Sequence, residues 1–186
     1  MRKHTWIGIL SLALLLPVLA ACSGANQKGD ESEAATFLQI VAANDGDNLD
    51  SDVISDAGVV LEDSIKIEIL NQAKGGSTVT LGAFNAVTIT HYRVTFSRAD
   101  GRAVPGVDVP MPFEANSSTL IRAGSSGSLT VTVVPIIMKV NSPLADLVLG
   151  GIIEATATID ISGEDQTGRR LKVTALLEIT FANFAG

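Results

Sequence analysis

Cysteine, histidine and aromatic side chains are almost absent from this chain: one Cys, two His, one Trp and one Tyr in 186 residues. A lone Cys22 leaves no internal disulfide, so an exported domain of this composition has to be held by its hydrophobic core or by a bound ion. Of the two histidines, His4 lies in the N-terminal segment and His91 stands alone in the remainder. A Ser-His-Asp arrangement would have to use His91 as its base, and no Gly-x-Ser-x-Gly elbow accompanies it. A zinc site of the usual His and Cys composition lacks ligands. The aromatic content of 4% provides neither the Trp and Tyr girdles of a membrane barrel nor stacking platforms for sugar. Basic residues are outnumbered, 13 to 20, which argues against nucleic acid and against electrostatic attachment to an anionic lipid surface.

What is present begins at the N-terminus. Arg2 and Lys3 precede an apolar run from Trp6 to Ala20, whose end overlaps the tetrapeptide Leu19-Ala20-Ala21-Cys22. A basic start, a short apolar stretch and small residues before a cut site describe a secretory signal peptide, and the run is short for a membrane span of about 20 apolar residues. The tetrapeptide resembles the lipobox of bacterial lipoproteins. That resemblance implies cleavage before Cys22, a lipid on its thiol and acylation of the new amino terminus. Each buried CH₂ contributes about 0.8 kcal/mol, so several acyl chains together make a stable anchor. Ser23, where Asp would favour retention, implies by the same resemblance the outer membrane in a cell that has one.

Residues 1–21 are therefore expected to be removed. They carry two of the basic residues and none of the acidic ones, leaving a formal charge of −9 on the mature chain. Residues 22–35 form a lipidated cysteine and a flexible tether, because Ser23 to Ala35 contains no large apolar side chain. About 13 residues of such coil reach an r.m.s. distance on the order of 20 Å. Residues 36–186 are expected to form one domain.

In that domain the hydrophobic period is two. Ile65, Ile67 and Ile69 alternate with Lys66 and Glu68, and Leu129, Val131 and Val133 with Thr130 and Thr132. Ile153 to Ile161 and Leu171 to Phe181 continue the pattern, which is that of half-buried strands rich in β-branched residues. Ala99-Asp100-Gly101-Arg102, Gly163 to Gly168 and Ser125-Ser126-Gly127 carry the residues of tight turns. One segment reads as helix: Ser142 as N-cap, Pro143 first, Leu144, Leu147 and Val148 on one face, and Gly150-Gly151 as the stop. It predicts a plug over one end of two sheets. The whole predicts an all-β protein, an immunoglobulin-like or fibronectin-like antiparallel β-sandwich with one short helix, or else a small barrel.

The stretch from His91 to Arg102, followed by Val104-Pro105-Gly106-Val107-Asp108-Val109-Pro110, the turn Gly163 to Arg169 and the closing Ile179-Thr180-Phe181-Ala182-Asn183-Phe184 carry a second resemblance. They are similar to a group of uncharacterised bacterial exported proteins and lipoproteins with an immunoglobulin-like sandwich domain, from Asp63 to the end. The resemblance implies an exported domain. It names no activity and transfers no site residue.

The candidate metal ligands are acidic. Asp45, Asp47, Asp50 and Asp52, among Asn44 and Asn48, put several oxygens in one short segment, as calcium prefers. An EF-hand fails in both registers, since position 5 is Leu49 or Ile54, so the competing reading is turn residues between two edge strands. Val134-Pro135-Ile136-Ile137-Met138 reads as a buried strand bounded by a bulge at Pro135, rather than as an exposed partner-binding edge. Asn116-Ser117-Ser118 matches a glycosylation sequon and reads as a loop.

These observations lead to a non-enzymatic cell-envelope lipoprotein that binds another protein, or supports an envelope assembly, through loops or an exposed sheet edge. The alternative is a ligand-binding or calcium-dependent adhesion module for glycan or a small molecule. An enzyme would need a deep pocket lined by His91 or by clustered carboxylates.

Overall fold

A computed structural model describes residues 34–75 and 80–184. The signal peptide, Cys22 and nearly all of the tether lie outside the described residues. Eight strands form two sheets: β1 (Thr36–Ala43), β2 (Leu49–Asp52), β3 (Asp63–Ala73), β4 (Val87–Arg98), β5 (Phe113–Ile121), β6 (Ser126–Val134), β7 (Ile152–Asp165) and β8 (Arg170–Ala182). One sheet has the order β1-β3-β6 and the other β2-β8-β7-β4-β5. The protein is all-β with two sheets, and the larger sheet curls into a half-barrel.

The period-two positions meet between the sheets. Ile67, Ile69, Leu129 and Val131 from the small sheet, and Ile89, Val94, Ile159, Ile161, Val173 and Phe181 from the large one, belong to a single buried cluster. Each such side chain contributes about 1.5–3 kcal/mol by leaving water. Phe96 and Phe181 meet edge to face at 6.1 Å. β7 and β8 form one long hairpin in unbroken register from Ile152↔Ala182 to Glu164↔Arg170.

Several expectations need correction. The pairing is not wholly antiparallel: β2 runs parallel to β8, Leu49 opposite Ile179 and Asp52 opposite Ala182. The reason lies in Asn44 and Asp45, whose φ angles of 51° and 55° break the path of β1 and send the chain to the other sheet. Asn and Asp tolerate this left-handed region better than other residues with a Cβ, and Asn44 Nδ2 donates to the carbonyls of Asp47 and Asn48 at 3.1 Å. The tether ends sooner than expected, because Ala34 is already buried in the core and Lys74 N donates to Ala35 O at 2.9 Å.

Asp100-Gly101 does turn the chain, Arg98 N donating to Arg102 O at 2.8 Å, but it closes no tight hairpin. The next strand begins only at Phe113, which lies opposite Val94. Ser125-Ser126-Gly127 lies at a crossing between sheets, from β5 to β6, not at a hairpin. Asn116-Ser117-Ser118 lies inside β5, an edge strand whose alternation is between half-exposed and exposed positions and so gives no hydrophobic signal.

The crossover from β6 to β7 also differs. Val134 is the last residue of β6, and Ile136–Lys139 is a single helical turn, α1, with Pro135 as its N-cap. Pro135 has no N–H to continue a ladder, so the apolar run is not a buried strand: Met138 is buried while Ile136 and Ile137 are exposed. The expected helix is a 3₁₀ turn over Ala145–Leu149. Leu144 and Leu147 plug the core as expected, whereas Val148 points to solvent, and Gly150 and Gly151 at φ of 107° and 110° end the turn.

Candidate functional site

Register places the two ends of the molecule. Thr36 lies opposite Ala73, so the chain comes in beside the β3–β4 loop, and the β5–β6 and β7–β8 connections share that end. Asp63 lies opposite Val134 and Ile152 opposite Ala182, so the β2–β3, β4–β5 and β6–β7 connections gather at the far end with the closing residues of the chain.

Exposed apolar side chains concentrate at the far end. Of the sixteen large hydrophobic residues exposed among the described residues, twelve sit there, including Val59 and Leu61 before β3, Val107 and Met111 before β5, and Ile137, Leu149 and Ile152 along the crossover. Leu149 is 95% exposed and Ile137 66%. Scattered apolar residues are ordinary on a surface, so what distinguishes this end is their number.

A polar node holds this end in shape. The Lys139 side chain is 1% exposed, and its Nζ donates to the carbonyl of Asp52 at 2.7 Å and pairs with Asp63 Oδ2 at 2.8 Å. Ser51 Oγ donates to the same carboxylate oxygen at 2.5 Å. One buried cation thereby joins α1, β2 and β3. Asp52 Oδ1 accepts from the N–H of Ile54 at 3.4 Å and of Phe184 at 3.3 Å, fixing the closing segment beside the same node. Sequence reasoning missed Lys139, which ends an apolar run and gives no sign of burial.

The candidate metal ligands separate. Asp45 lies within the sheet-switching corner and Asp47 just after it, while Asp50 and Asp52 lie on β2 with the buried Ser51 between them. Among the described residues, no group of three or more His, Cys, Asp or Glu comes together in a way that could hold a metal ion. Asn44 and Asp45 make the corner itself. His91 is exposed on the outer side of β4, next to the buried Tyr92, and its Nδ1 lies 3.2 Å from Thr90 Oγ1.

At the near end is an open groove of about 600 Å³ lined by Leu81, Phe84, Leu120, Arg122 and Gln166 among others. Asn71, fully buried, organises it: its Nδ2 donates to the carbonyls of Asn85 at 2.9 Å and Ile121 at 3.3 Å. Gln166 N donates to Phe84 O at 3.2 Å, tying the β7–β8 turn to the β3–β4 loop. That turn is built on Asp165. Burial alone would push its carboxyl up, but the Thr167 hydroxyl, the N–H groups of Arg169 and Thr167 and the Arg169 charge outweigh it and hold it below the ordinary value.

Charge is distributed unevenly between the ends. Lys74, Arg122, Arg169, Arg170 and Lys172 lie at the near end, where Arg170 pairs with Glu164 at 3.4 Å and Asp165 is buried, and Asp30, Glu31 and Glu33 precede Ala34 in the sequence. At the far end Arg98, Arg102 and Lys139 are all matched to Asp100, Asp108 or Asp63, while Asp56, Glu62, Asp146 and Glu154 remain in excess.

No protein family and no curated protein matches the chain. Among solved structures it is similar to a structural-genomics target determined by X-ray, Northeast Structural Genomics Consortium target SoR45, at 9% identity and a TM-score of 0.37 over 85% of this chain and 81% of that one. A likeness of that size carries no argument about function.

Proposed function

We propose that this is a non-enzymatic, lipid-anchored cell-envelope protein of the outer membrane, and that its far end meets a protein partner. The observation that carries the reading is the concentration of exposed apolar side chains at the end opposite the one where the tether joins. An anchor at Cys22 holds one end near the bilayer and leaves the other directed outward. With Asp56, Glu62, Asp146 and Glu154 around it, the far end suits a partner surface that is apolar at its centre and rimmed by Lys and Arg.

The fold reading within this proposal is immunoglobulin-like. Taken in order as A, A′, B, C, C′, E, F and G, the eight strands make sheets ABE and A′GFCC′, with A′ parallel to G. Shared strands A, B and E opposite G, F and C support it.

The test is a photo-crosslinking amino acid at Leu149 in the full chain expressed in cells, with Lys66 on the exposed side of β3 as the control position. One discrete adduct from Leu149, absent from Lys66 and lost when Ile137 is replaced by Arg, supports the reading. Equal labelling from both positions, or none from either, contradicts it.

A further inference from the structure

The near end carries a second surface of a different character. Phe84 is 71% exposed at the mouth of the groove and Leu120 56%, so two large apolar side chains stand in water beside the exposed Arg122. Arg169, Arg170 and Lys172 are exposed on the adjoining hairpin, where Arg170 also pairs with the exposed Glu164 at 3.4 Å, a surface pair that water and lipid phosphate can both replace. This basic cluster belongs to a chain whose overall charge is acidic, so net charge conceals it.

Where the chain comes in decides what lies opposite. Ala34 is packed into the core at this end, and only eleven residues separate it from Cys22. At no more than about 3.5 Å per residue, that segment spans at most roughly 40 Å. Those eleven residues include no large apolar side chain able to fill the groove.

We infer that the near end docks on the anionic bilayer in which the anchor sits, Phe84 and Leu120 entering the interface while Arg122, Arg169, Arg170 and Lys172 meet lipid phosphates. Apolar side chains flanked by Lys and Arg bind such a surface through burial and charge together, and anionic lipid attracts each basic residue within a Debye length of it. Because the domain is already held by lipid, docking has only to orient it. The consequence is a fixed posture, with the far end pointing away from the membrane. This inference rests on the lipid anchor of the preceding section.

The mature chain has no tryptophan once Trp6 is removed, which supplies the test. Phe84→Trp and, separately, Leu149→Trp place a single indole at either end. The lipidated protein is reconstituted in vesicles of phosphatidylglycerol and phosphatidylcholine, or of phosphatidylcholine alone, and its N-terminal acylation is verified by mass. The expected result is a shift of the Phe84→Trp emission to shorter wavelength with quenching by brominated lipid in the anionic vesicles. Arg122→Glu with Arg170→Glu should abolish both, and Leu149→Trp should stay unchanged. Phe84→Trp emission unaltered in anionic vesicles, shifted without vesicles because the chain covers its own groove, or matched by Leu149→Trp would overturn the inference. Absence of acyl mass on Cys22 would instead overturn the anchor, so the two failures are distinguishable.

Discussion

The phenolic oxygen of Tyr92, on the large sheet, accepts the backbone N–H of Thr132, on the small one, at 3.1 Å. β6 is an edge strand, so no further strand can satisfy that N–H, and a side chain from the opposite sheet does so. Phe113 packs edge-on against the same ring at 6.4 Å. Tyr92→Phe keeps the packing and leaves the donor unmet. We expect a loss of about 1–2 kcal/mol in urea unfolding, with the slope unchanged.

Lys139 gives a sharper contrast. Lys139→Ala would strand Asp63 and the Asp52 carbonyl and should cost about 3–5 kcal/mol, the usual penalty for removing one partner of a buried pair. Replacing Lys139 and Asp63 together by Met and Leu should cost clearly less than the single change. Chemical denaturation of the three proteins checks this; equal losses would mean that the pair is not coupled.

Asp165 predicts a pH dependence. Its native pKa lies below the ordinary 3.8, so its stabilisation is complete above that value and is lost as pH falls from there through the lowered native pKa. Thermal melts from pH 6 down to about pH 2 should show a steeper acid loss in the wild type than in Asp165→Asn. Identical profiles would contradict the assignment.

Gly163 marks a close approach between strands. A Cβ there would lie 2.7 Å from Thr88 O and 3.0 Å from Val87 Cγ1, so β4 and β7 must part to admit it. Gly163→Ala should destabilise by about 1–3 kcal/mol, measured by urea unfolding. Gly101→Ala is a control of another kind, since space is open there and only the φ of 84° is unfavourable.

The strands with clean alternation were legible because one side of each faces a core: Ile65 to Ile69, Leu129 to Val133, Ile153 to Ile161 and Leu171 to Phe181 all occupy their expected positions. β5 was not legible, since an edge strand with polar residues on both sides has no period to show. The Asn44-Asp45 corner was visible as turn chemistry, but which sheet the chain would enter next depends on the parallel pairing with β8, a non-local contact. Composition likewise gave the net charge and hid its segregation. Arg122 and Arg170 are 48 residues apart in sequence and come to the same end only through the fold. The buried node was hidden for the same reason, because Ser51, Asp63 and Lys139 come from three separate segments.

Both surfaces take their meaning from the anchor, because it decides which end faces the bilayer. The direct measurement is the intact mass of the protein from the membrane fraction, with sequencing of its N-terminal peptide by mass spectrometry. The account predicts a chain that begins at Cys22 and carries the added mass of acyl chains on that residue, and a Cys22→Ser form that lacks it. A chain that begins elsewhere with an unmodified thiol, or that retains residues 1–21, would contradict it.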